Sequence, residues 1–464
     1  MNETKVLSPV ERLWITCLSV SQPVFQIFTA QITVTHCGIS NLSLFLGILL
    51  VLKAEKCSGL KHLVLRFSAI LVFLLCFTGM DYFLLFYYGA LLFVFLYIDR
   101  FEKLSMKSSL VTYILHRLDY LLLPVFVWSL KSNIFPKRGL YISQYAFDFS
   151  VNKIARVYLG FFEFIYTQIS NVLKETLTYP LQWLILGSIY FLFHWLFGKK
   201  LSDYLNKQEF QNIKPYILLL YGLFFLVISI FPFAATKEMR IPFSGDWEIR
   251  HAFLIPLPIA ITLVGAFRLL FPGNEHQVFS KSGGAILFIL LFGFTKSTLN
   301  DYIALQARWV KDSSFIYNIR KLEGAKEMSI FWIDDQFPII GRYRFHEWAG
   351  MFKHAWGDET HFGWNKEELR YFNNPEELFL RLEPFYPNYL LADFNPRGCQ
   401  VDLVIRKGNQ ATNNLSMVIN YFYYKYLKSQ NLPEYLDGIV NISVNPINKT
   451  SVTNCDLRRY KKQP

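Results

Sequence analysis

The chain has 464 residues, of which 53% are hydrophobic and 18% aromatic. Only 18% are charged, against about 25% in an average soluble chain, and the mean hydropathy is +0.25. With the apolar residues gathered in runs, these figures exclude a disordered chain, a collagen-like fibre, a small disulfide scaffold and a wholly soluble enzyme. They predict a mostly α-helical, multi-pass membrane protein.

The net charge of +12 comes from 47 basic and 35 acidic residues. The basic residues sit mainly in short loops between apolar runs, as the positive-inside rule expects, and no stripe of basic and aromatic residues follows a single element. Nucleic acid is therefore not an expected partner; membrane lipids are.

In chain order, a weakly apolar stretch from Leu13 holds Gln22, Pro23, Gln26 and Gln31 and leads into Leu42–Leu52. It reads as one tilted span, two short ones or an interfacial helix. Clear spans follow at Leu63–Gly79, Tyr82–Ile98, Leu110–Leu130, Leu177–Phe197, Pro215–Ala235, Ala252–Phe271 and Gly283–Thr298, giving eight to ten in all. No secretory signal is visible, since the first residues carry Glu3 and Glu11.

Three loops set the orientation: Lys53, Lys56 and Lys61; Arg100, Lys103 and Lys107; and Lys199, Lys200, Lys207 and Lys214. Even numbers of spans separate them, so all three fit the cytoplasmic side of a plasma membrane. Residues 1–299 then form a transmembrane domain. Residues 300–464, of mixed polarity, form an extracytoplasmic α/β domain. Within it, strands are expected at Ser329–Ile333, Tyr389–Ala392 and Leu403–Ile405, and helices at Ser313–Lys326 and Ala411–Lys428.

The candidate chemistry lies in the outer loop Thr236–His251. Asp246, Trp247, Glu248, Arg250 and His251 fall within six residues there. Arg binds phosphate with two parallel donors, His shuttles protons, and a carboxylate serves as a base. The plainer reading makes Arg250 and His251 headgroup anchors. Arg117 and Asp119 lie in an apolar segment at i, i+2 spacing, on different helix faces, and read as interfacial anchors. Asp334 and Asp335 follow an expected strand, where α/β domains place ligands, although solvated acids are commoner. His346, Glu347, His354 and His361 lack ligand spacing, so no metal is assigned; a divalent ion is without support. The five N-x-S/T sequons matter only in a host that glycosylates secreted chains. Cys17, Cys37, Cys57 and Cys76 read as small buried hydrophobes, whereas Cys399 and Cys455 share a polar region that an oxidising compartment would bridge.

Phe231, Pro232, Gly245, Trp247, Arg250, His251, Leu254 and Pro256 form a pattern that resembles polytopic glycosyltransferases of the GT-C class and their bacterial relatives. Tyr343-Arg-Phe-His-Glu-Trp348, Arg117-Leu-Asp-Tyr-Leu with Pro124, and Lys137-Arg-Gly-Leu-Tyr141 fit the same group. The resemblance covers residues 42–363. It implies cell-surface polysaccharide or glycolipid assembly from a polyprenyl-phosphate-linked sugar, without an organic cofactor. In that class a first outer loop supplies a catalytic acid. Here only Glu3, Glu11 and Glu55 precede Asp81, so that loop is missing. Asp81 or Asp246 is then the expected base, with Trp247, Glu248, Arg250 and His251 on the substrate. The rivals are a non-catalytic membrane subunit or scaffold, whose outer domain binds a partner or glycan, and a transporter. The transporter lacks the internal repeat it would need.

Overall fold

The computed structural model describes residues 7–22, 35–79, 83–91, 117–134, 146–178, 213–237, 241–242, 252–273, 281–372 and 374–446, with 181, 185, 187–189 and 192. The chain divides into two compact units, Met1–Asn300 and Asp301–Pro464. The fold is mostly helical, and among the described residues three helices are long and apolar enough to cross a membrane: Gly59–Thr78, Pro215–Ala234 and Ser282–Lys321.

The first unit opens with α1 (Pro9–Ser21). Ser8 caps it: its hydroxyl accepts from the Glu11 amide at 3.2 Å, and the Glu11 carboxylate accepts from the Ser8 amide at 2.6 Å. Such a reciprocal box satisfies two of the four orphan amides at a helix start. The helices α2 (Thr35–Ala54) and α3 (Gly59–Gly79) form a hairpin turned at Gly59, whose φ of 64° suits glycine. Then come a helical stretch at 83–91, α4 (Leu118–Ile134), α5 (Val151–Thr178), α6 (Pro215–Ala234), α7 (Pro256–Leu270) and α8 (Lys281–Lys321).

Rings fill the core of this unit. Phe73 meets Tyr87 at 4.7 Å and Tyr120 at 6.4 Å, and Phe86 meets Phe225 at 4.5 Å. On the outside, α3 exposes Leu60, Leu63, Val64, Phe67, Leu71 and Leu75, a second apolar stripe at helical spacing. Helices α6 and α7 cross at glycines. A Cβ on Gly265 would lie 2.6 Å from the Leu219 backbone, and one on Gly222 2.7 Å from the Thr262 backbone.

Two expectations are corrected here. The segment 131–176, which the expected spans Leu110–Leu130 and Leu177–Phe197 leave as a loop between them, contains the 28-residue helix α5, which buries Val157, Phe161, Phe164 and Val172 at i, i+4, i+7 and i+15. The last span and the helix expected at Ser313–Lys326 belong to one helix, α8, of 41 residues. It ends at Lys321, short of Lys326, because Gly324 takes a left-handed φ of 74°.

The second unit is a four-stranded sheet in the order β2-β1-β3-β4. It comprises β1 (Ile330–Asp335), β2 (Phe362–Asn365), β3 (Gln400–Lys407) and β4 (Val440–Pro446). β1 runs parallel to β2 and β3, and β4 closes the edge antiparallel to β3. Side chains alternate along β1. Phe331 and Ile333 join a core with Phe315 and Ile319 of α8, Trp348 and Phe352 of α9 (Phe345–Trp356) and Met417 of α11 (Asn414–Tyr426). Ile330 and Trp332 join a second core with Phe362, Phe394 and Leu378 of α10 (Pro375–Leu382). A final helix, α12 (Leu432–Asp437), places Tyr435 in the first core. A sheet buried on both faces is what parallel pairing requires. The strand expected at Tyr389–Ala392 is a turn: Tyr389 and Leu391 both donate to the Tyr386 carbonyl, and Leu390 takes φ 62°.

Candidate functional site

Asp81, Asp246, Trp247, Glu248, Arg250 and His251 all lie outside the described residues. What the structure describes is the frame from which those segments leave. Phe83 and Phe253, each two residues beyond Asp81 and His251 respectively, meet with ring centroids 5.6 Å apart. Phe253 also meets Phe233 edge-on at 6.2 Å, and Phe233 meets Phe161 of α5 at 5.7 Å. Four rings thus join the start of the 83–91 helix, the end of α6, the approach to α7 and α5.

The other flank of the loop is tied as firmly. Thr236 pairs with Phe147 in an isolated bridge, where Lys237 donates to the Ala146 carbonyl at 2.8 Å and Asp148 donates to Ala235 at 2.9 Å. The Lys153 ammonium donates to the carbonyls of Asp148 and Thr236 and lies 3.3 Å from the Asp148 carboxylate. From α1, the buried Gln22 amide donates to the Pro256 carbonyl at 3.0 Å, fixing where α7 begins.

Buried ions form the second feature of this unit, and most were not legible from local spacing. Arg268 of α7 pairs with Glu11, and both are buried. Arg66 of α3 grips Asp119 of α4 in a two-pronged bond, with Nε and Nη2 at 2.6 and 2.7 Å from the two carboxylate oxygens. Arg117 reaches Glu55 at 3.2 Å. Arg117 and Asp119, read as interfacial anchors, are paired across helices. Their different faces, noted from the i, i+2 spacing, are what sends them to separate partners.

In the second unit, Asp335 at the end of β1 accepts from buried Lys311 with both oxygens, at 2.7 and 2.5 Å, and the Phe337 carbonyl accepts from the same ammonium at 2.7 Å. An ammonium has three donors, so these partners use them all. The neighbouring Arg308 lies 4.0 Å over the Tyr343 ring and pairs with Glu347 at 2.6 Å, while the Tyr343 hydroxyl donates to Asp312. Burial raises the Asp312 carboxyl to about 6, although Tyr343, Arg308 and Lys311 pull it down. Burial also lowers Lys311 and drives the Tyr343 hydroxyl well above its ordinary range.

Tyr343, Glu347 and Trp348 of the Tyr343–Trp348 segment thus all work inside the fold: Trp348 is fully buried, and Glu347 also accepts from the Arg344 amide at 2.8 Å. Asp334 accepts from the Gln336 side chain at 2.7 Å. His361 is buried against Trp356 and held between Asp358 and the Lys326 carbonyl, and the His346 ring packs at a tilt against Tyr389. Among the described residues, no group of three or more His, Cys, Asp or Glu side chains is arranged to hold a metal. Compared with protein-family models, curated proteins and solved structures, the chain matches none.

Proposed function

We propose that this chain is an integral, multi-pass plasma-membrane protein acting in cell-surface polysaccharide or glycolipid assembly, related to GT-C glycosyltransferases and using a polyprenyl-phosphate-linked sugar. The contact of Phe83 with Phe253 carries the reading. It brings together two described residues, one adjoining the segment that holds Asp81 and one adjoining the segment that holds Asp246 to His251. A base and a phosphate-binding Arg must share one groove for transfer to occur. Arg250 then holds the phosphate, with Trp247, Glu248 and His251 around the substrate, and Asp246 or Asp81 removes the acceptor proton.

The membrane part is supported by the three helices of spanning length and by apolar stripes on both sides of α3. The outward placement of residues 300–464 draws support from cysteine chemistry. Cys399 is disulfide-bonded, whereas Cys17, Cys57 and Cys76 are free thiols, and structural disulfides persist where the compartment oxidises. The expected partner is Cys455, which lies outside the described residues.

One observation favours a second reading, a non-catalytic membrane subunit. Of the acids preceding Asp81, Glu11 and Glu55 are engaged by Arg268 and Arg117, so neither replaces the absent first-loop acid. Two substitutions separate the readings. Arg250→Lys keeps the charge but loses the planar fork, and Asp246→Asn keeps the shape but removes the base, a loss of about 10²–10⁴ in rate. On the enzymatic reading Arg250→Lys abolishes whole-cell complementation of the surface glycan at normal membrane abundance, and Asp246→Asn does so where Asp246, rather than Asp81, is the base. Full complementation by both leaves the subunit reading.

A further inference from the structure

Helix α11 is apolar on two opposite faces. Met417 and Tyr421 on the inner face belong to the core of the second unit. On the outer face Leu415 is 50% exposed, Ile419 56%, Phe422 39% and Tyr426 70%, and Leu427 beyond the helix is 74% exposed. At about 100° per residue, positions 415, 419, 422 and 426 fall in a band about 60° wide, directly opposite Met417. A contiguous exposed apolar band of this kind marks a protein or membrane interaction surface.

The chemistry around the stripe selects its occupant. The Lys425 ammonium lies 5.1 Å from the Trp309 ring centroid and 5.6 Å from that of Tyr426, and Lys428 lies 5.5 Å from Tyr423. Between Asp402 and Glu434 the chain has no acid, while Arg406, Lys407, Lys425 and Lys428 are basic. Interfaces between proteins deplete lysine. Membrane interfaces combine Trp and Tyr with Lys, and anionic leaflets attract such basic stretches. Trp309, 42% exposed, belongs to α8. We propose that the outer face of α11, with Trp309, docks on an anionic phospholipid surface. The inference rests on the membrane reading above and not on glycosyl transfer.

The test uses the full chain, one copy per lipid nanodisc, with its unbridged cysteines replaced. A bimane probe is attached at Ile419→Cys, or at Leu380→Cys, an exposed position on α10. Quenching by lipid carrying a shallow nitroxide is compared in phosphatidylglycerol and phosphatidylcholine discs. The proposal predicts quenching at 419 in phosphatidylglycerol discs and little at 380. Each lysine near an anionic surface is worth about a fivefold factor in docking, so Lys425→Gln with Lys428→Gln weakens it about 25-fold. No quenching at 419, equal quenching in phosphatidylcholine, or protection only when two copies share a disc overturns the proposal while leaving the chain in the membrane. Release of the chain from cell membranes by alkaline carbonate overturns the membrane reading, and the docking proposal with it.

Discussion

At the scale of single residues, the ion pairs have consequences that differ by place. Between α3 and α4, Arg66 and Asp119 form two charge-assisted bonds at 2.6 and 2.7 Å, with the guanidinium 5.2 Å from the Tyr120 ring. Losing one partner leaves the other charge in poor solvent, whereas removing both does not. Asp119→Leu and Arg66→Met should each lower resistance to unfolding in detergent. The double variant should recover part of the loss, with a coupling of about 0.5–3 kcal/mol. Additive losses would mean that the pair is incidental.

In the second unit, Asp312 makes stability depend on pH with an unusual sign. Its folded carboxyl sits at about 6, above the ordinary 3.8, so the folded state holds the proton more tightly than the unfolded one. Ionisation therefore costs folded stability: the cost is absent below the unfolded value and complete above the folded one. Between pH 7 and pH 5 the wild type should gain on the order of 1 kcal/mol from this group. Asp312→Asn, which still accepts from Tyr343, should lack that increment. Thermal unfolding of both proteins across this range measures the difference; parallel curves would contradict the assignment.

At the scale of elements, the crossing of α6 on α7 depends on absent side chains. Small residues let helix backbones approach closely, and this substitutes for a hydrophobic driving force within lipid. At Gly265 the obstacle to a side chain is the Leu219 backbone, which cannot rotate away. Gly265→Val should therefore force the helices apart at a cost of about 1–3 kcal/mol, read as reduced membrane abundance and faster proteolysis. Gly187→Val, where a Cβ meets open space, should be silent.

The elements also show what the sequence made legible. The apolar runs of α3 and α6 were readable because a span is recorded as uninterrupted hydropathy. Helix α5 was missed because its apolar residues recur at helical spacing among Lys153, Arg156 and Glu163, so a continuous run never forms. Periodicity was the signal that could have found it. β4 was missed although Val-Asn-Ile-Ser-Val alternates, and β2 is only four residues with a glycine inside. Partners such as Glu11 with Arg268 and Lys311 with Asp335 had no local signal at all. Nothing in a one-dimensional pattern joins residues 257 positions apart. Asp334 and Asp335 were singled out by their place after a strand, and the structure engages one with Lys311 and the other with Gln336.

At the scale of the whole molecule, the account depends on convergence. The ring cluster of Phe83, Phe233, Phe253 and Phe161 and the Thr236–Phe147 bridge hold residues that adjoin the segments proposed to act. Phe83 and Phe253, each two residues along the chain from Asp81 and His251, meet within that cluster. The most direct test is a cross-link, in cell membranes, within the full chain carrying Asp81→Cys and His251→Cys, with the other unbridged cysteines replaced. A homobifunctional thiol reagent of about 10 Å reach should join the two positions within one chain, giving a single linked peptide pair by mass spectrometry. The proposed lipid-linked sugar should slow the reaction. Both thiols modified singly and never joined, in protein of normal abundance, would contradict a shared site.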